Sequence, residues 1–348
     1  MMTNPFSEFY HVPNSKELLD IAFKKAMKSS AQVSKNAPIL IKAKKKERRR
    51  IQIANEEIIQ RILKIIKSVP MIDELPAFYK ELASILIDTE NLKLTLGKLN
   101  GILPVISKIE REHFKRLSSI ETPREGDQIR RSAFGRISSI VEKQNKNLEY
   151  LNQIRGKLRE IPSLDYEMPC IVFAGYPNVG KSSLVKNIST NKKIEVQEYP
   201  FTTKKLILGH LEIIRRFDRI KVQCMDTPGI LDRPMSKRNN IELQAILALR
   251  LIADRIIFVF DPTPACGYKV DSQLELYHEI QDQFTKQGEI PILIIINKKD
   301  LASQLEIEYI RDKLKLNEPD FFLTNALTGE NLDKIVGYLE VQYQIQKQ

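Results

Sequence analysis

The densest chemistry in the sequence lies at residues 175–183, which read Gly175-Tyr176-Pro177-Asn178-Val179-Gly180-Lys181-Ser182-Ser183. An apolar run precedes them and a helical pattern follows, the context that a phosphate-binding loop requires. Gly175 and Gly180 let the backbone turn its N–H groups inward around phosphates, and the following helix N-terminus adds its dipole. Lys181 offers a point charge to the outer phosphate oxygens, and the Ser182 hydroxyl is a ligand for Mg2+.

Two more motifs follow in order. Asp226-Thr227-Pro228-Gly229 ends the run 220–225, where the Asp226 carboxylate can hold Mg2+ through water and the Gly229 N–H can sense a γ phosphate. Asn297-Lys298-Lys299-Asp300 ends the apolar run 292–296. The Asp300 carboxylate can accept from the N1–H and the 2-amino group of guanine, and adenine has neither donor. An unpaired buried carboxylate costs about 1–3 kcal/mol or more, so Asp300 is expected to reject ATP as well as to attract GTP. Thr324-Asn325-Ala326 would add the Ala326 N–H to the guanine O6. Between the first two motifs, Thr203 is expected to complete the Mg2+ shell. These residues together imply binding of GTP and GDP and hydrolysis of GTP.

The loops need strands behind them. Short β-branched runs at 170–174, 206–214, 220–225, 255–260, 292–296 and 321–324 alternate with helical patterns, which predicts a mostly parallel six-stranded α/β sheet of the Ras-like P-loop kind. Before residue 161 the periodicity is helical. Ile51, Ala54, Ile58, Ile62 and Ile65 share one face, as do Leu148, Leu151, Ile154 and Leu158. Helices are expected near 15–29, 45–68, 76–87, 89–118 and 128–160, packed as an antiparallel all-α bundle. The expected domains are 1–164, helical and basic, and 165–348, the nucleotide-binding domain.

Of the formal net charge of +11, residues 1–167 carry +10, with 31 Lys and Arg against 21 Asp and Glu. Such asymmetry suggests a polyanionic partner for the first half. The apolar runs are far short of the roughly 20 residues of a membrane span, so the chain is expected to stay in the cytoplasm. Three widely spaced cysteines, Cys170, Cys224 and Cys266, suggest neither a disulfide framework nor zinc.

Gly175 to Ser183, Tyr199-Pro200-Phe201-Thr202-Thr203-Lys204, Asp226 to Pro234 and Arg238-Asn239-Asn240-Ile241-Glu242 together resemble the Obg-related G domains, specifically the Nog-type nucleolar GTP-binding proteins. Leu75 to Leu82, Gly135 to Ser139 and Ile161 to Asp165 resemble that family's N-terminal helical domain. The likeness therefore covers nearly the whole chain, which looks like a short, archaeal-type member. One departure is Asn325, where G domains usually carry Ser.

The resemblance implies action on precursors of the large ribosomal subunit, with rRNA and pre-ribosomal particles as partners. Where Ras-like proteins place a water-orienting glutamine this chain has Ile230, so slow intrinsic hydrolysis is expected. Related proteins with an apolar residue there often use K+, held by an Asn at the position of Asn178; a plain loop-stabilising amide is the other reading of that residue. The run Lys42, Lys44, Lys45, Lys46, Arg48, Arg49 and Arg50 suits phosphate neutralisation, a solvated helix end being the alternative. Lys115, Arg116, Arg130, Arg131 and Arg136 could extend that surface, whereas Phe78 and Tyr79 read as bundle core. A monomeric switch is the leading expectation. A GTP-dependent RNA placeholder with incidental turnover and a translation-associated Obg-like GTPase are weighed against it, and no membrane role is expected.

Overall fold

A computed structural model describes residues 4–34, 36–199, 205–214, 219–234, 238–285, 290–317 and 320–345. Thr203 lies outside the described residues. The chain forms two compact units, one of residues 5–75 and 86–159, the other of residues 1–4, 76–85 and 160–348.

The first unit contains α1 (Ser15–Lys28), α2 (Ile39–Ser68), α4 (Thr89–Ser118), α5 (Pro123–Glu142) and α6 (Asn145–Arg159). The helical face read from the sequence is buried on α2, with Ile51, Ala54, Ile58, Ile62 and Ile65 all at 0–1% exposure. Ile51 and Ala54 join Ala26, Leu117, Ile120, Ile129, Ala133 and Phe134 in one core cluster, and Phe23 stacks on Phe134 at 4.2 Å. Asn14 with Glu17 forms a capping box on α1, and Thr122 before Pro123 caps α5.

Two expected boundaries move. The helix expected over 128–160 is two helices, because a tight turn in which Gln144 N donates to Val141 O and Asn147 N to Gln144 O interrupts it. Helix α2 begins at Ile39, not near 45, so Lys42 and Lys44 as well as the rest of the run 42–50 lie inside the helix. Arg130, expected on an extended basic surface, is buried instead, its Nε 2.8 Å from Glu47, whose other oxygen lies 3.0 Å from Arg50.

Among the described residues the second unit carries a seven-stranded sheet: β1 (Cys170–Ala174), β2 (Asn191–Glu198), β3 (Lys205–Ile214), β4 (Arg219–Asp226), β5 (Arg255–Phe260), β6 (Ile292–Ile296) and β7 (Phe321–Leu323). Their order is β2-β3-β4-β1-β5-β6-β7. The pairs β2–β3 and β3–β4 are antiparallel and the others parallel. The strand missed by the sequence reading is β2, an edge strand of polar composition with a register shift. Charged edge strands are what limits unwanted pairing, and they are poor in the apolar signal by which strands are found. The central β1 and β5 are buried along their whole length, as strands covered on both faces must be. Helices α7 (Lys181–Ile188), α8 (Asn240–Ala248), α9 (Val270–Thr285), α10 (Gln304–Leu314) and α11 (Leu332–Ile345) complete this unit.

Helix α3 (Ala77–Leu86) belongs almost wholly to the second unit, and Phe78 and Tyr79 on it are buried. The Tyr79 hydroxyl accepts from Leu164 N at 2.9 Å and lies 2.9 Å from Leu164 O and 3.3 Å from Pro162 O. Burial raises its pKa. The same segment is held by Gln197 of β2, which bonds Ser163 N and O, and by Gln223 of β4, which bonds Asp165 N and O. Tyr79→Phe leaves the Leu164 N–H without its acceptor inside the protein. We expect a loss of about 1–3 kcal/mol in urea unfolding; an unchanged midpoint would show that this segment does not depend on the phenol.

Candidate functional site

Parallel strands end on one edge of the sheet, and the loops after β1, β4, β6 and β7 all emerge there, where α/β sheets bind their ligands. After β1, Gly175 (φ 130°), Asn178 (φ 63°) and Gly180 (φ 105°) take left-handed or extended positive-φ conformations that curl the loop. A Cβ at Gly175 would stand 2.5 Å from Val259 O, and one at Gly180 would stand 2.1 Å from Asn297 Nδ2. Only glycine fits at these two places. Tyr176 is buried with its ring 4.4 Å from that of Tyr268, Pro177 is half-buried, Val179 is buried, and Asn178 is exposed.

Lys181 opens α7 and is almost fully buried, with Nζ donating to Gly175 O and Tyr176 O at 2.8 Å each. Burial lowers its pKa, and the Asp226 and Asp232 carboxylates oppose the shift. An ammonium whose hydrogen bonds among the described residues go to neutral carbonyls at the mouth of the loop is poised for an anion. The exposed Ser182 donates its hydroxyl to Asp226 Oδ2, and Ser183 is half-buried behind it.

Asp226 ends β4 with no exposed surface, and burial raises its pKa against the opposing pull of Lys181 and Ser182. Its Oδ1 has no hydrogen-bond partner among the described residues. A buried carboxylate oxygen without a donor, beside a serine hydroxyl, is a fitting oxygen pair for Mg2+, which takes one or two protein oxygens and completes its shell with water and phosphate. The Thr227 hydroxyl donates to Phe173 O at 3.0 Å and anchors the turn, and Pro228 is half-buried. Gly229, expected to offer its N–H to a γ phosphate, donates it to Asp232 Oδ2 at 2.6 Å.

Asn297 ties three segments together. Its Nδ2 donates to Val179 O at 2.8 Å, and its Oδ1 accepts from Ala326 N at 2.8 Å and from the Thr324 hydroxyl at 3.2 Å. The Ala326 N–H, expected at the guanine O6, is therefore engaged by Asn297 in this conformation. Lys298 (φ 57°) places Nζ 2.6 Å from Oδ2 of the buried Asp261. Asp300 is exposed. The penalty expected for leaving it unpaired therefore arises only beneath a bound base, not from burial by the protein. Asn325 accounts for its departure from serine, since its side chain accepts from Leu327 N at 2.9 Å and Thr328 N at 3.2 Å and so closes the loop itself.

Three supporting residues escaped the sequence reading. Asn187 of α7 donates to Ala326 O at 2.5 Å, and nothing in its helical spacing sets it apart. Asp261 follows the apolar strand β5, the same strand-tip signal by which Asp226 was found. Gln273 bonds both Asp261 N and Asp261 O, a contact visible only once α9 is folded. Among the described residues no cluster of three or more His, Cys, Asp or Glu could hold a metal by itself, and no helix is long and apolar enough to cross a membrane.

The curled loop, the strand-tip carboxylate and the Asn297 interlock define a P-loop GTPase domain with a helical unit built largely from the preceding residues. Residues 6–165 match the family model described as the NOG1 N-terminal helical domain, and residues 170–298 match that of the 50S ribosome-binding GTPase. An uncharacterized protein of Methanocaldococcus jannaschii is 33% identical over 88% of this chain and 83% of its own length. Nucleolar GTP-binding protein 1 of Caenorhabditis elegans is 31% identical over 94% of this chain and 47% of its own, and that of Encephalitozoon cuniculi 34% identical over 83% and 53%. The chain belongs to the Nog-type nucleolar GTP-binding protein family, and spans about half the length of these two nucleolar relatives.

Asn297→Ala removes the interlock of three loops at once and leaves the buried Ala326 N–H unpaired. Affinity for GDP and for a GTP analogue is expected to fall together, by roughly tenfold to a hundredfold, in a fluorescent-nucleotide titration. A loss confined to one nucleotide would contradict an architectural role.

Proposed function

We propose that this chain is a GTP-hydrolysing switch in large ribosomal subunit biogenesis, whose helical unit docks on rRNA within a pre-ribosomal particle. The observation that carries the proposal is the convergence on one sheet edge of a phosphate loop, a buried carboxylate with an orphaned oxygen and the Asn297–Asp300 loop. In this reading Lys181 compensates phosphate charge and Asp300 selects guanine. Ser182 and Asp226, joined by Thr203, hold Mg2+, which would neutralise developing negative charge on the phosphates. The names of the relatives and of the matched GTPase family supply the ribosomal direction.

Turnover would be slow. Ile230 is fully buried and has no hydrogen-bonding group with which to orient water. Asn178, exposed at the left-handed corner of the loop, is the proposed K+ ligand that offsets this deficit. Purified protein with Mg2+ is expected to hydrolyse GTP and not ATP, and to do so roughly tenfold or more faster in K+ than in Na+, since a K+ ion would stabilise charge that develops in the transition state. Equal rates in the two salts would remove the K+ role, and equal use of ATP would remove the guanine reading.

The RNA role is tested separately. Crosslinking in cells with the GTP-analogue and GDP forms is expected to enrich large-subunit rRNA, more strongly in one nucleotide state. Reversal of Lys45, Lys46 and Arg49 to Glu should erase that enrichment while leaving nucleotide binding intact. Reads scattered over cellular RNA would defeat the ribosomal assignment.

A further inference from the structure

The turn after Asp226 is held from several sides. Ile230 N and Leu231 N both donate to Thr227 O, at 3.0 and 3.3 Å, and Leu231 O accepts from Gly175 N at 3.0 Å, which anchors the turn to the phosphate loop. The Arg238 side chain, with no exposed surface, donates to Gly229 O at 3.0 Å and to Ile230 O. On the other side of the same turn, Asp232 accepts the Gly229 N–H, and its second oxygen stands 3.8 Å from Arg238.

We propose that Asp232 is an internal competitor of the γ phosphate: it occupies the Gly229 N–H, must be displaced by GTP but not by GDP, and thereby sets the preference between the two nucleotides. This role rests on the chain being a guanine-nucleotide switch, as argued above. A carboxylate and a γ phosphate are both acceptors and both negative, so one N–H cannot serve the two together and their repulsion at short range adds to the conflict. Asp232 lies close enough to the site for its charge to oppose the lowering of the Lys181 pKa and to raise that of Asp226. The displaced carboxylate has a destination. Arg238 Nε is buried without a hydrogen-bond partner among the described residues, and a modest rotation of Asp232 toward the guanidinium would satisfy it. The element therefore has two arrangements, with Asp232 on the Gly229 N–H or on Arg238, and only the second accommodates a triphosphate.

The test is a titration of wild type, Asp232→Asn and Arg238→Lys with fluorescent GDP and a non-hydrolysable GTP analogue. Asp232→Asn keeps the shape and removes the charge. Its affinity for the GTP analogue is expected to rise roughly tenfold relative to GDP, about 1.4 kcal/mol. Arg238→Lys keeps the competitor but lacks the planar fork that receives it, so the ratio should move the other way, by roughly threefold. Each variant's GDP affinity reports whether its site has folded, and the two opposite shifts are independent readouts. An unchanged ratio in both variants, with wild type binding both nucleotides, overturns the role of Asp232 alone. Wild type that binds neither nucleotide removes the guanine reading and this one with it.

Discussion

The site depends on a buried amide that satisfies three backbone and side-chain groups from different parts of the chain. The loops after β1, β6 and β7 are far apart in sequence, and each presents backbone N–H and C=O groups that no regular element pairs. Asn297 donates to Val179 O and accepts from Ala326 N and Thr324, so its two polar ends are used fully and in opposite directions. An aspartate could not donate to Val179, and a longer glutamine would drive into Gly180, whose missing Cβ already leaves the amide its room. The loops after β1, β6 and β7 thus acquire their relative position only when these strands are in register. Binding geometry is a consequence of sheet formation rather than of any single motif.

A second linkage works the same way at lower strength. Thr227 bonds Phe173 O and Ser182 bonds Asp226, so β1, β4 and the start of α7 close around one carboxylate. This carboxylate is left short of donors while buried, an arrangement that costs stability in the protein itself. Such a group persists where function needs a strong acceptor for a cation, and its raised pKa reflects the same shortage.

What the sequence made legible was whatever a short stretch encodes by itself. The phosphate loop, the strand-tip Asp226 and the Asn297–Asp300 motif each carry their signal within a few residues, and β1, β5 and β6 are apolar runs whose bounds coincide with those read from the sequence. Features that depend on packing were not legible. The edge strand β2 has only Ile194 and Val196 as large apolar residues, and Val196 is exposed, so the pattern holds no apolar run to read. Helix α3 looks like any other amphipathic helix of the first half, and only the Tyr79 hydroxyl bonds to the segment at 162–164 place it with the sheet. The Ala326 N–H could be assigned to a base on motif grounds, yet Asn297 competes for it, and competition between acceptors cannot be read from composition.

The charge of the helical unit shows the same limit. The net +10 already subtracts the acidic residues but does not say where they sit: Lys25 and Arg61 pair with Glu57, Arg50 and Arg130 with Glu47, Arg131 with Asp127, and Arg136 with Glu112. Within the run on α2 helical spacing separates two roles. Lys44 donates to Ser118 O and Arg48 lies 4.4 Å over the Phe114 ring, so this stripe leans toward α4, although Arg48 stays exposed. Lys45, Lys46 and Arg49 lie one to two residues away around the helix and are exposed. Their neighbour Arg50 is half-buried and paired, which narrows the available stripe to about one turn and a half of helix. The face therefore presents fewer unpaired cations than the run 42–50 contains.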